Sequence, residues 1–514
     1  MAPLTICVVG THCFMRPHGF EQSMSNYDRR PSFGRDSIWL ASADVVAVFL
    51  AFVGQLILAR ALLSESYGLF VIAIDLFATL FLLLDLGLPT LLARDGPRQP
   101  SAIWSGMMRI YRLQGIAVLI FVPISVSITL MQSVHDTLML IGAGVALVHI
   151  ASYAPRTALR AAGDARFESL TKVIERVATT AGYVLLFVMD STDVVAYATV
   201  FLVGAILGFS IALVGAYRVC GKRGDRTDSA ELGADWISKK SILLAALPFA
   251  ITLGVLPYVI RIEKFILASE LGFDEVALFH VAQLAWLAGL LVPQAMRAAL
   301  LPVLGASRRD SSLFNQHLDR VESICFALVP IGMVAGAAIV WILLPIGFPA
   351  EYFDGTLGAS ATDVFMILLA GWACTVLSVP SYTALQAGEK PWLFTLLISI
   401  VVLSSTVFGL TLIKWGAVSS VGLAIEMAAY ASVASSLVML LLGIALSRRM
   451  GEFMKRGIQW IATLVLVFLT SWALSQQSYL AILGLGLFIL LPQGLRAMRT
   501  IVDQPFEQMS VEAE

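Results

Sequence analysis

Charge is what this chain has least of. Asp, Glu, Lys and Arg make up 13% of its 514 residues, about half the share found in soluble globular proteins. Cysteine is scarce too: Cys7, Cys13, Cys220, Cys325 and Cys374 show no paired spacing and have no accompanying histidine cluster. That excludes a disulfide framework and a zinc site. There is no GxxxxGK loop to cradle a nucleotide phosphate and no HExxH pair for a metalloprotease. Polar intervals long enough for an external domain are also missing, as is an Asp-x-Asp metal site, which argues against a membrane polymerase, ligase or glycosyltransferase. No cofactor and no nucleic acid partner is expected.

What the chain has in excess is apolar length. Hydrophobic residues make up 58% of it, and a water-soluble protein of that composition would expose large sticky patches. The bilayer is the expected solvent. A helix needs about 20 apolar residues to cross about 30 Å of hydrocarbon. On that basis fourteen spans are expected, near 39–60, 68–92, 113–132, 137–155, 171–189, 194–217, 241–266, 275–303, 322–347, 361–385, 392–413, 417–446, 458–475 and 478–495. The fifth is the poorest, because Lys172, Glu175 and Arg176 crowd its start.

The few basic residues are not evenly spread. Arg16, Arg29, Arg30 and Arg35 precede the first span, and Arg94, Arg98, Arg109 and Arg112 follow the second. Arg156, Arg160 and Arg166 follow the fourth, and six Lys or Arg between Arg218 and Lys240 follow the sixth. The later even-numbered intervals hold Arg308, Arg309 and Arg320, then Lys390, then Arg448, Arg449, Lys455 and Arg456, then Arg496 and Arg499. Odd-numbered intervals are nearly empty, Lys414 being the clear exception. Lys and Arg beside membrane ends stay cytoplasmic, so the expectation is a multi-pass protein of the cytoplasmic (inner) membrane with both termini cytoplasmic. Residues 1–37 read as a disordered cytosolic tail, within which Met24 is an alternative start to Met1.

The chain also repeats itself. LILARALLSESYGLF (56–70) returns 209 residues later as FILASELGFDEVALF (265–279), with Ile57, Leu58, Ala59, Leu62, Leu69, Phe70 and Ala73 recurring as Ile266, Leu267, Ala268, Leu271, Leu278, Phe279 and Ala282. Asp274 answers Glu65. TALRAAGDARF (157–167) is echoed by TALQAGEKPWL (383–393). Both echoes relate span n to span n+6 in the same orientation, which implies two parallel six-helix halves about an axis along the membrane normal. The expected domains are 38–217 and 241–446, joined by a cytosolic linker at 218–240. Two extra helices over 447–496 and a cytosolic tail over 497–514 complete the chain.

LILARALLSESYGLF, DLGLPTLLARDG (85–96), IRIEKFILA (260–268) and LIKWGAVSSVGLAIEMAAYA (412–431) resemble the polysaccharide flippases of the multidrug/oligosaccharidyl-lipid/polysaccharide exporter superfamily. That family carries an Arg-Leu-Leu-Gly-Pro-x-x-Tyr-Gly step, an Asp-Leu-Gly in its second helix and an Arg-Ile-Asp in its seventh. This chain has Ala61, Leu62, Leu63 and Ser64 in the first and Glu263 in the last. The resemblance implies an all-α polytopic fold with the two bundles in a V around a central cavity. It implies as cargo an isoprenoid-diphosphate-linked oligosaccharide, flipped to the outer leaflet for exopolysaccharide, capsule or O-antigen biosynthesis. Membrane lipids, a polysaccharide polymerase and export machinery are the further partners it suggests.

Physics asks for such a machine. Each unpaired hydroxyl in hydrocarbon costs several kcal/mol, so a glycan carrying a diphosphate needs a wet, cationic passage. Ionisable residues inside spans are functional candidates by default. Arg261 and Lys264, three apart and so close to one face of the seventh helix, are the preferred diphosphate contacts, with Pro248 and Pro257 expected to kink that helix. Arg60 and Arg297 complete the candidate substrate site. Asp75, Asp85, Glu263 and His280 are candidates for a salt bridge or for H+ or Na+ coupling. For Asp85, a bridge to Arg94 or to a basic residue of the other half is favoured, whereas His280 reads as a lone core histidine. The rival reading is a cation-coupled multidrug antiporter of the same superfamily.

Overall fold

A computed structural model describes residues 33–85, 87–95, 100–132, 136–221, 251, 255–388 and 391–476. Residues 1–32 of the expected N-terminal tail, the Met24 start, most of the 218–240 linker, Pro248 with the first part of the seventh span, the fourteenth span and the C-terminal tail lie outside those residues, whereas 33–37, expected to be disordered, open the first helix. Among the described residues every element is helical, and ten helical segments are long and apolar enough to cross a membrane. The protein is an all-α, multi-pass membrane protein.

The helices are α1 (Phe33–Ala61), α2 (Ser64–Leu82), α3 (Leu88–Asp95), α4 (Ile103–Gln132), α5 (Asp136–Ala161), α6 (Ala165–Val188) and α7 (Val194–Ala216), then α8 (Ile262–Glu270), α9 (Phe273–Gly289), α10 (Leu291–Ala306) and α11 (Ser311–Gly347). They continue with α12 (Ala361–Ala387), α13 (Pro391–Ser419), α14 (Val421–Leu446), α15 (Met450–Lys455) and α16 (Gly457–Ser475).

Several elements differ from what hydropathy suggests, each for a local reason. The expected second span is broken: α2 ends at Leu82, a 3-10 turn covers Leu83–Asp85, and Gly87 takes a positive φ of 64° before α3. Asp75 and Asp85 therefore do not share one continuous helix. The eighth span is also two pieces, α9 and α10, which meet at Leu290. There the indole Nε1 of Trp372 donates to the Gly289 carbonyl at 2.9 Å, satisfying an acceptor that the break frees. Helix α4 begins at Ile103, well before the expected 113, so Arg109 and Arg112 are helical rather than part of a connecting interval. Arg156 and Arg160 likewise belong to α5.

The chain divides into two compact units. Among described residues the first comprises 33–62 and 73–221 together with residue 251, and the second comprises Leu63–Ile72 and 255–476. In the first unit α1 packs on α6, α5 on α7, and α6 on α7. Small residues permit the close approach: Gly204 and Gly208 form a GxxxG step on α7. A methyl group added to Gly204 would stand 2.1 Å from Thr179 Oγ1, and one added to Gly208 would stand 2.7 Å from Glu175 Oε2.

In the second unit α12 is the axis, with 94% of its apolar window buried. Helices α9, α10, α11, α14 and α16 pack against it. Its sequence is apolar all round rather than striped, the pattern of a helix enclosed by protein. Leu63–Ile72, the start of α2, group with this unit because they pack on the start of α9. Ser64 Oγ donates to Asp274, and a methyl group on Gly68 would fall 1.8 Å from the Phe273 carbonyl oxygen.

Candidate functional site

The expected cationic pair sits at an interruption. Residues 255–259 are helical, Ile260 and Arg261 form a turn, and α8 starts at Ile262. The break lies a few residues beyond Pro257, whose ring cannot continue a regular hydrogen-bond ladder. Arg261 is the residue preceding α8, with φ −126° and ψ −20°. The helical spacing that put Arg261 and Lys264 on one face therefore does not apply. The freed Ile260 carbonyl accepts from Gln283 Nε2 at 2.8 Å.

The three ionisable side chains at this break are all buried, and Glu263 and Lys264 reach different helices. Glu263 Oε1 accepts from Ser405 Oγ of α13 at 3.0 Å, with the Ser432 hydroxyl of α14 also at hand. Lys264 Nζ meets His280 Nδ1 of α9 at 3.5 Å. An ammonium only donates, so Nδ1 is the acceptor here and the ring proton belongs on Nε2. Tyr67 stands edge-on to His280, ring centres 5.8 Å apart. His280 is thus not alone: it links the start of α2 to Lys264.

The remaining candidates are dispersed. Arg60 is exposed in the last turn of α1. Arg297, half-buried on α10, has Tyr382 of α12 as a charge neighbour. Asp75 is buried in α2, where its carbonyl accepts from Thr79 Oγ1 at 2.6 Å. Asp85 is buried, and its carboxylate accepts from the Gly87 backbone N–H, bracing the bend; its Oδ1 has no partner among the described residues. The salt bridge favoured for Asp85 is not found there, and the Arg94 side chain lies outside those described. Lys414, the outlier of the charge bias, pairs with Glu270 at 3.3 Å.

Sequence reasoning passed over two polar clusters. In the first unit Glu175 of α6 accepts from Arg156 Nη2 and meets His149 Nε2 at 3.0 Å, both on α5. A turn or two away Glu168 pairs with Arg160 and with Lys172, which also reaches Asp44 of α1 at 3.0 Å. These basic residues had been absorbed into the loop charge count; acids at 168 and 175 on one face of α6 were the available signal. In the second unit Arg449, between α14 and α15, pairs with Asp319 and with Glu322 of α11 at 2.9 Å. The Trp460 ring of α16 packs edge-on against Phe326 of the same helix α11, centres 4.7 Å apart. A small crevice of about 10 Å³ opens beside this pair. Among the described residues no three His, Cys, Asp or Glu side chains are arranged to hold a metal ion.

This helix order is shared with solved transporters. The chain is similar to an MOP superfamily transporter from Pyrococcus furiosus Vc1 (DSM3638), with a TM-score of 0.57 and 17% identity over 82% of this chain and 96% of that one. It is similar also to a multidrug resistance MATE family transporter of the MOP superfamily. The inward-facing form gives a TM-score of 0.60 and 16% identity over 79% and 96% of the two chains, and the outward-facing form gives 0.52 and 17% over 82% and 96%. At these identities the likeness is one of fold. The family described as "Polysaccharide biosynthesis protein" matches residues 33–307, more than half of the chain, and the protein belongs to it. No curated protein matches the chain.

Proposed function

We propose that this protein flips an isoprenoid-diphosphate-linked oligosaccharide from the cytosolic to the outer leaflet of the cytoplasmic membrane. The observation that carries the reading is membership of the polysaccharide biosynthesis family on a transporter fold. Buried Arg261 and Lys264 at a broken helix support an anionic cargo. In this reading fourteen helices span the membrane with both termini cytoplasmic. Two parallel six-helix bundles, with two further C-terminal helices, alternate in opening a hydrophilic cavity to either side. The glycan crosses inside while the isoprenoid tail stays in lipid. Arg60 and Arg297 receive the head at either end of its path. Asp75, Asp85, Glu263 and His280 are the groups through which an H+ or Na+ gradient would couple.

The test is reconstitution of the full chain in liposomes with a fluorescent lipid-linked oligosaccharide, with and without an ion gradient. Protein-dependent loss of leaflet asymmetry is expected. Drug efflux without glycolipid flipping would instead support the multidrug antiporter reading, which the likeness to MATE transporters keeps in view.

A further inference from the structure

The cluster between α5 and α6 in the first unit carries more positive charge than its acid balances. Arg176 lies at the centre of α6, roughly 17 Å of helical rise from each end, and His149 lies at the centre of α5. Both carboxylate oxygens of Glu175 are already engaged, Oε1 by His149 and Oε2 by Arg156. The Arg176 guanidinium stands over the Phe201 ring, 5.8 Å from its centre, and makes no hydrogen bond or ion pair with a described residue, although the residue is only 7% exposed. The Arg156 Nε–H is enclosed and has no partner either. The neighbouring group is balanced, Arg160 and Lys172 against Glu168 and Asp44. The surplus belongs to Arg156, Arg176 and Glu175, two cations to one acid, and it grows if His149 takes a proton.

A surplus charge buried inside a protein is costly, and an arriving anion relieves it. The planar guanidinium with several unfilled donors fits the oxygens of a phosphate, which it contacts through paired hydrogen bonds. Phe201 holds the Arg176 plane from one side, and the Gly208 notch leaves room for Glu175 and Arg156 beside α7. We propose that Arg156 and Arg176 form a buried oxyanion-binding site in the first unit, taking a phosphate or diphosphate group, with Glu175 and His149 as positioning residues for Arg156. As a station for the cargo's diphosphate it rests on the transport reading above. As an anion site it does not.

The experiment titrates inorganic pyrophosphate into the purified full chain by calorimetry. A parallel arm measures enrichment of phosphatidylglycerol over phosphatidylcholine around the protein in mixed vesicles. Both arms use wild type, Arg176→Gln and Arg176→Lys, with elution profile as the control for folding. Wild type should bind pyrophosphate and Arg176→Gln should bind at least about tenfold more weakly. Arg176→Lys, which keeps the charge but not the fork, should fall between them and serves if the glutamine variant does not fold. An Arg176-dependent effect confined to phosphatidylglycerol assigns the site to a lipid headgroup. Equal binding of both probes by all three proteins, or none by wild type, overturns the proposal. If wild type binds pyrophosphate through Arg176 yet flips no glycolipid, the site stands and the transport reading falls. If Arg176→Gln flips glycolipid normally and binds pyrophosphate like wild type, the reading stands and the site falls.

Discussion

The hydroxyl of Ser64 donates to the carboxylate of Asp274, joining residues 210 apart in the chain. Asp274 is the counterpart of Glu65 in the internal repeat, so the bond runs between the two copies of one short helix-to-helix step. The neighbouring contact is tighter still. At Gly68 a methyl group would lie 1.8 Å from the Phe273 carbonyl oxygen, an atom of the backbone that cannot turn aside. Gly68→Ala should therefore cost about 3 kcal/mol or more through overpacking, whereas Ser64→Ala should cost about 1 kcal/mol. Thermal midpoints of the two purified variants check the order; equal midpoints would refute this packing.

Lys264 offers a way to separate charge from volume. It is 1% exposed and packs on His280. Lys264→Ala leaves a cavity and should lower both folded yield and transport. Lys264→Met fills the space without the charge and should retain folded yield while transport falls. Glycolipid flipping at the wild-type rate by the methionine variant would remove Lys264 from the cargo path.

Glu322 and Arg449 make a buried pair in the second unit, 5% and 8% exposed. Removing Arg449 leaves Glu322 only the longer contact to Arg456 at 3.6 Å, at a cost of up to about 3–5 kcal/mol, while replacing both with apolar residues of similar size is close to neutral. Arg449→Met should thus be much less stable than wild type, and Glu322→Leu with Arg449→Met should recover most of the loss. A double-mutant cycle on thermal midpoints reads the coupling directly.

The connection between α11 and α12 supplies a pH signature. Burial, with the nearby carboxylates of Asp274 and Asp354, raises the pKa of Glu351 above its ordinary value. A carboxyl whose pKa is raised on folding favours the folded state only while protonated, below its unfolded pKa, and that advantage is lost as pH rises through the folded value. Glu351→Gln should therefore stabilise the protein at neutral pH and make little difference in acid. Melting curves from pH 4 to pH 8 would show a gap between variant and wild type that widens with pH; a constant gap would contradict the assignment.

The broad architecture was legible because the bilayer imposes it. Long apolar runs such as 361–387 and 421–446 leave no choice but helix. The repeat flagged the Ser64 and Asp274 steps, which the fold then brings together. Harder to read was anything decided by partners distant in sequence. Hydropathy cannot place the breaks at Leu83–Asp85, Ile260–Arg261 and Leu290, because they depend on Gly87's positive φ, on Gln283 and on Trp372. Likewise Arg156 counted as loop-side positive charge, and Arg176 as a charge crowding a span's start, until α5 and α6 placed one beside Glu175 and the other over Phe201. Charge in a list of residues has a sign but no neighbour.

Helix α12 is enclosed by protein along nearly its whole apolar length. Changes in membrane thickness or fluidity act on side chains that meet acyl tails, and this helix presents very few. Its environment is instead the side chains of its own unit, down to the Trp372 ring whose far edge would meet a methyl at Gly332 at 2.0 Å. Moving α12 would mean repacking most of that unit at once, so it is the natural fixed reference against which motion of the surrounding helices should be measured, for instance by spin labels paired with one near Ser360.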